Sequence, residues 1–158
     1  RDLEKIPVSW GRSESSLKAR MTLTHKLDAI RPLAAQLLPE GNAYKVAGTD
    51  PQLQFDVSTL NISGKHSGLL RFDFQCAQRK EVPRLHVYWW GNLQNGPTEE
   101  ASLKFTADDG TLIVPLDAYP RWLALERVKG FRIDLKNSKA CGSISITNIA
   151  LHQRLIDK

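Results

Sequence analysis

Apolar and polar side chains alternate with a period of two through most of this chain, the repeat of a strand with one face buried and one face wet. After the turn-forming Gly48-Thr49-Asp50-Pro51, Leu53, Phe55 and Val57 alternate with Gln54 and Asp56. Leu70, Phe72, Phe74 and Cys76 alternate with Arg71, Asp73 and Gln75, and Phe131, Ile133 and Leu135 with Arg132, Asp134 and Lys136. The stretch Val82–Gly91 organises the others. As a strand it sends Leu85, Val87 and Trp89 to one face and His86, Tyr88 and Trp90 to the other. Leu103 and Phe105 precede Asp108-Asp109-Gly110, and Leu112 and Val114 follow it, which predicts a hairpin turning on Asp-Gly. Near the end, Ile144 and Ile146 share one phase while Ile149 and Leu151 take the other. A β-bulge near Thr147-Asn148 would keep all four on the core side.

The earlier part is less regular. Residues 1–16, with Gly11 and the run Ser13 to Ser16, read as a flexible lead-in, and residues 17–24 as a first strand through Met21 and Leu23. Between His25 and Pro39 the spacing of Leu27, Ile30, Leu33/Ala34 and Leu37 is helical, yet Pro32 would break or kink a helix. An extended connection and a short helix both remain open there, closed by Gly41-Asn42. Pro115 and Pro120 bracket a connection in which Trp122, Leu125 and Val128 suit one short helical turn. The sum is all-β: a jelly-roll-like antiparallel β-sandwich with little helix, as a single domain over 17–158.

Composition narrows the classes. A chain of 158 residues, 41% hydrophobic and 25% charged, can bury a core without staples. No apolar run approaches the roughly eighteen residues needed to span a bilayer, so no transmembrane segment is expected in this piece. A chain opening Arg-Asp-Leu-Glu without methionine reads as a fragment of a larger protein. Cys76 and Cys141 are too sparse for a disulfide scaffold or a zinc site, and are expected to be two buried thiols. The net charge of +5 is concentrated early, with seven Lys/Arg against four Asp/Glu in residues 1–31, but no dense basic block suggests nucleic acid.

Enzyme chemistry has little to stand on. His25, His66, His86 and His152 are scattered, and no HExxH, GxSxG, GxGxxG or Walker loop occurs. No metal or cofactor is expected, and no catalytic residue is assigned. A glycosidase would need two carboxyl groups about 5–10 Å apart in a cleft, whereas the acids here fall in turns or along polar strand faces.

What remains is the polar phase of the central strands. If strands 69–76, 84–91 and 131–136 share one sheet, one face collects Arg71, Asp73, Gln75, His86, Tyr88, Trp90, Arg132 and Asp134. Tyr88 and Trp90 then form a platform for the apolar C–H face of a sugar ring, and the planar polar groups take its hydroxyls in pairs. The plainer reading packs these aromatics under a loop or the N-terminal segment, with Arg–Asp pairs simply solvated.

The run Tyr44-Lys45-Val46-Ala47-Gly48-Thr49-Asp50-Pro51-Gln52-Leu53-Gln54-Phe55, followed by LLRFDFQC, PRLHVYWWG, an RIDL-type strand and an isoleucine-rich one, resembles accessory domains of large bacterial glycosyltransferases that build lipopolysaccharide, capsule or related surface glycans. The match runs from about residue 42 to 153. The resemblance implies a non-catalytic, carbohydrate-binding-module-like β-sandwich that holds glycan or polysaccharide near the catalytic domain of its own parent chain. It also implies a cytoplasmic setting, at the inner membrane through that parent. The rival expectation is a structural sandwich that docks onto its catalytic neighbour or a partner protein. A docking surface should be a contiguous apolar patch, and a sugar site a groove of mixed aromatic and polar lining.

Overall fold

A computed structural model describes residues 21–155. In chain order it contains β1 (Met21–Lys26), β2 (Leu33–Ala35), β3 (Leu37–Glu40), β4 (Ala43–Val46), β5 (Gln52–Asp56), β6 (Leu69–Cys76), β7 (Arg84–Gly91), β8 (Ser102–Thr106), β9 (Gly110–Pro115), the short helix α1 (Pro120–Leu123), β10 (Val128–Lys136) and β11 (Ser143–Arg154). The expected lead-in over 1–16 and the start of the 17–24 strand lie outside the described residues.

The strands form two antiparallel sheets. One runs β3-β4-β11-β6-β9, with β1 also paired to β11, and the other runs β2-β5-β10-β7-β8. From β4 to β7 the chain changes sheet at every step, and it does so again from β8 to β11. Their inward faces meet in one core that includes Phe55, Phe72, Phe74, Phe105, Trp89 and Trp122, all fully buried. Phe55 stacks on Phe131 with centroids 4.7 Å apart, and Trp122 meets Trp89 edge to face at 5.9 Å. The all-β sandwich expected from the alternation is therefore formed.

Local chemistry accounts for the joints. The β3–β4 hairpin turns on Gly41-Asn42, with Gly41 at φ +64°, the left-handed geometry that two-residue hairpin loops require. The 25–39 segment is extended rather than helical: Pro32 precedes β2, and Gln36 at φ +58° swings the chain from β2 into β3, one strand in each sheet. The bulge expected in β11 is present, with the register shifting between Thr147 and Ala150 and Asn148 at φ +53°. Its backbone stays satisfied, because Ile149 donates to Asp28 Oδ1 and its carbonyl accepts from Leu27. The Pro120–Leu123 turn carries Trp122 into the core, as its spacing predicted.

Three expectations are corrected. Asp108-Asp109-Gly110 does not close a hairpin: β8 pairs with β7 in one sheet and β9 with β6 in the other. The alternating flanks are the same for a hairpin and for a crossover, and only the free sheet edges decide between them. Asp109 instead holds the crossover, accepting from the Cys76 backbone at 2.9 Å and from Arg79 Nη2 at 2.8 Å. Secondly, the strands 69–76, 84–91 and 131–136 do not share a sheet, since β6 lies opposite β7 and β10. Thirdly, the cysteines are not free thiols. Cys76, ending β6, is bonded to Cys141, in the turn before β11, across 65 residues of chain.

A closed loop of that length restricts the unfolded chain by about 4 kcal/mol in the chain-entropy model. Reduction, or the paired substitution Cys76→Ser and Cys141→Ser, is expected to lower the midpoint of thermal unfolding clearly while leaving the β signal in circular dichroism. A melt that ignores reductant would remove the disulfide from this account.

Candidate functional site

The outer face of the second sheet is built as a grid by its register. Arg132 on β10 lies opposite Tyr88 on β7 and Gln54 on β5, and Tyr88 lies opposite Ser102 on β8. The next row holds Gln52, Asp134, His86 and Lys104; beyond it, Lys136 lies opposite Arg84. At the other end, Trp90 lies opposite Gly130. A Cβ on Gly130 would stand 2.5 Å from Cζ2 of Trp90, so the indole rests directly on the glycine backbone and stays partly exposed. Any side chain at position 130 would lift it away.

The middle of the grid is tightly coupled. Arg132 donates to both carboxylate oxygens of Asp134, at 2.7 and 3.1 Å, in the two-pronged geometry that suits guanidinium and carboxylate. The same guanidinium sits 4.5 Å from the centre of the Tyr88 ring, a cation–π contact, and Tyr88 stacks on His86 with centroids 3.9 Å apart. His86 Nε2 lies 2.8 Å from Ser102 Oγ, and the Tyr88 hydroxyl donates to Glu99 at 3.4 Å. Burial pushes the His86 imidazole down to about 4; Glu99 opposes this, while Lys104, Lys136 and Arg132 add to it. Burial also raises the Asp134 carboxyl, against the hydrogen bond and charge of Arg132. Among these, His86 is 3% and Asp134 2% exposed.

The eight residues singled out from the alternation thus divide. His86, Tyr88, Trp90, Arg132 and Asp134 share this face, whereas Arg71, Asp73 and Gln75 belong to the outer side of the other sheet. There Asp73 accepts from Thr111 and from Asn148, both at 2.6 Å, which ties the β11 bulge to β6 and β9. Tyr88 is a correction of another kind. At 9% exposure, and engaged by His86 and Arg132, its ring is a support within the face rather than an open platform. The partly exposed aromatic of the three is Trp90.

Two concavities were not anticipated. A cleft of about 270 Å³ opens on the second sheet, lined by Arg84, His86, Tyr88, Glu99, Lys104 and Lys136. A groove of about 500 Å³ opens between the sheets beside the β11 bulge, lined among others by Asp28, Asn42, Tyr44, Phe55 and Asn148. The bulge and the Gly41-Asn42 turn are both legible in the sequence, but nothing there places them side by side. Among the described residues no cluster of His, Cys, Asp or Glu could hold a metal ion, and no helix is long and apolar enough to cross a membrane.

No protein-family model matches this chain, and no curated protein matches its sequence. Among solved structures, the enzymatically active domain of tailspike protein 4 from bacteriophage CBA120 aligns over 92% of this chain at 12% identity and a TM-score of 0.40. The chain spans 21% of that protein's length. A likeness of this size assigns neither a function nor a site.

The buried imidazole makes a pH prediction. Below its ordinary value of 6.5 the unfolded chain takes up a proton that folded His86 refuses until about 4. The unfolded state therefore binds more protons in that window, and stability falls as pH drops from 6.5 to 4. An NMR titration should show the His86 ring protons moving with a midpoint near 4. A midpoint near 6.5 would mean that the ring is open to solvent.

Proposed function

We propose that this domain is a non-catalytic carbohydrate-binding module that uses the outer face of β7 and β10. The observation that carries the reading is Trp90, resting against Gly130 and partly exposed at the head of a face otherwise lined by Arg132, Gln54 and a mixed aromatic and polar cleft. An indole in that position offers its π surface to the C–H face of a sugar. Guanidinium and amide groups one row away can take the hydroxyls. Covering about 100 Å² of ring at roughly 25 cal/mol per Å² contributes about 2.5 kcal/mol. With a few hydrogen bonds added, one such site binds at about millimolar strength. A tethered or repeated module works in that range, because effective concentrations within one chain also reach about millimolar.

The place beside a surface-polysaccharide glycosyltransferase is supported by the sequence resemblance over residues 42–153. The Cys76–Cys141 disulfide, by contrast, favours an oxidising compartment such as a periplasm or cell surface over the cytoplasm first expected. The glycan would then be met outside the cytosol. The rival docking reading draws on Leu33 and Leu38, 72% and 56% exposed on β2 and β3, which follow one another in the chain but belong to different sheets. Each lies on the edge strand of its own sheet, and neither strand pairs with β7, which carries Trp90.

Amide NMR titration with bacterial surface glycans separates these readings. Saturable shifts centred on residues 86–90 and 130–134 are expected, lost in Trp90→Ala while the thermal melt of that variant stays close to the parent. Absence of shifts at millimolar sugar would overturn the binding-module reading and leave docking.

A further inference from the structure

We infer that a second carbohydrate site, for a neutral sugar, lies in the groove beside the β11 bulge. It shares no lining residue with the Trp90 face and does not depend on the reading given to that face. The groove exists because strand pairing is interrupted there. β4 and β1 both pair with the edge of β11 that β6 leaves open, β4 at Ser143 and Ile144 and β1 from Ala150 to Arg154. Over residues 145–148 no strand occupies that edge. The bulge falls in the same stretch, with Asn148 at φ +53°. The result is a gap in one sheet, floored by the buried Leu53 and Phe55 of the other and walled by Pro32, Pro39 and Tyr44.

The lining has the chemistry that sugars need. At about 500 Å³ the groove falls within the range of small-molecule sites, about 300–1,000 Å³. Its aromatic and proline walls offer apolar surface to the C–H faces of a ring, and its polar side chains can take hydroxyls. Those side chains are Asp28, Asn42, Tyr44, Thr147 and Asn148, brought together from three separate stretches of chain. Two of them are set in place by a bond that leaves capacity for a ligand. Asp28 accepts the Ile149 N–H on Oδ1 at 2.9 Å, and a carboxylate has further lone pairs on both oxygens. Asn148 donates from Nδ2 to Asp73 at 2.6 Å, and its amide keeps an acceptor oxygen and a second N–H. Asn42, Tyr44 and Thr147 make no side-chain hydrogen bond to another described residue. Because these positions are held by the fold, binding requires little ordering.

Charge decides the class of sugar. No Lys, Arg or His lines the groove among the described residues, and its one carboxylate is Asp28. An acidic sugar would meet that carboxylate with no cation to offset it. Hydroxyl and acetamido groups, by contrast, can donate to Asp28 and both donate to and accept from the two asparagine amides. The groove therefore selects neutral rings.

The test is an amide NMR titration of the intact chain with neutral disaccharides of glucose, galactose, mannose and N-acetylglucosamine, and with digalacturonate as the acidic counterpart. At least one neutral probe is expected to give saturable shifts at about millimolar concentration on residues 28, 42–44 and 146–149. These shifts should persist in Trp90→Ala. The double substitution Asn42→Ala and Tyr44→Phe removes two polar groups but keeps the Tyr44 ring, and should weaken groove binding about tenfold with little change in the melt. Asp28→Asn keeps an oxygen for the Ile149 N–H and removes the charge, so digalacturonate should bind this variant about threefold more tightly than the parent. Digalacturonate bound in the groove as well as the neutral probes, or gaining nothing from Asp28→Asn, would overturn the neutral assignment. Groove shifts indifferent to the double substitution would also overturn the site. Shifts confined to residues 86–90 and 130–134 would overturn it and leave the Trp90 face standing, whereas shifts in the groove alone would support it and remove the Trp90 reading. Binding of none of the probes would sink both.

Discussion

Burial of Leu85, Val87 and Trp89 between the two sheets governs what the outer face of this protein can display. Successive side chains on a strand point to opposite sides, so once these three are committed to the core the residues between them have no freedom of direction. His86, Tyr88 and Trp90 must stand outward. The same constraint on β10, where Phe131, Ile133 and Leu135 are buried, turns Arg132 and Asp134 outward beside them. The face is a by-product of core packing in its placement, and a matter of chemistry only in which residues occupy it.

Those residues do not all serve the surface equally. Two ionisable groups, His86 and Asp134, are almost fully covered although they lie on the outer side of a sheet. Burial of a polar group is tolerable only when its partners are in place. Here Ser102 stands at hydrogen-bond distance from His86 and Arg132 pairs with Asp134, while the Tyr88 ring lies between imidazole and guanidinium neighbours. This central block is rigid support. At its two ends lie an indole resting on a glycine and a cleft lined by Arg84, Lys104, Lys136 and Glu99.

The disulfide and the β11 bulge do comparable work on the opposite sheet. Cys76 and Cys141 join the end of β6 to the turn that leads into its neighbour β11, and Asp109 binds the Cys76 backbone from the crossover into β9. Asp73 gathers Thr111 and Asn148 across the same three strands. Polar residues that alternate outward on β6 thus stitch their own sheet together.

The sequence by itself determined the fold class, most strand positions, the β11 bulge, the turn that carries Trp122 inward and which side chains of each strand leave the core. All of these follow from local periodicity, because burial of one strand face imposes a period of two whatever the partner strand is. Tertiary structure alone decided sheet membership, and with it the site. β6 has the same alternation as β7 and β10, yet it pairs in the other sheet, which removes Arg71, Asp73 and Gln75 from the candidate face. The 65-residue separation of the cysteines hid their pairing for the same reason. Likewise, the opposition of Arg84 and Lys136 and the seating of Trp90 on Gly130 join residues that are about 40 to 50 positions apart. Contacts between distant strands depend on which edges are free when the sheets close, and no local pattern encodes that.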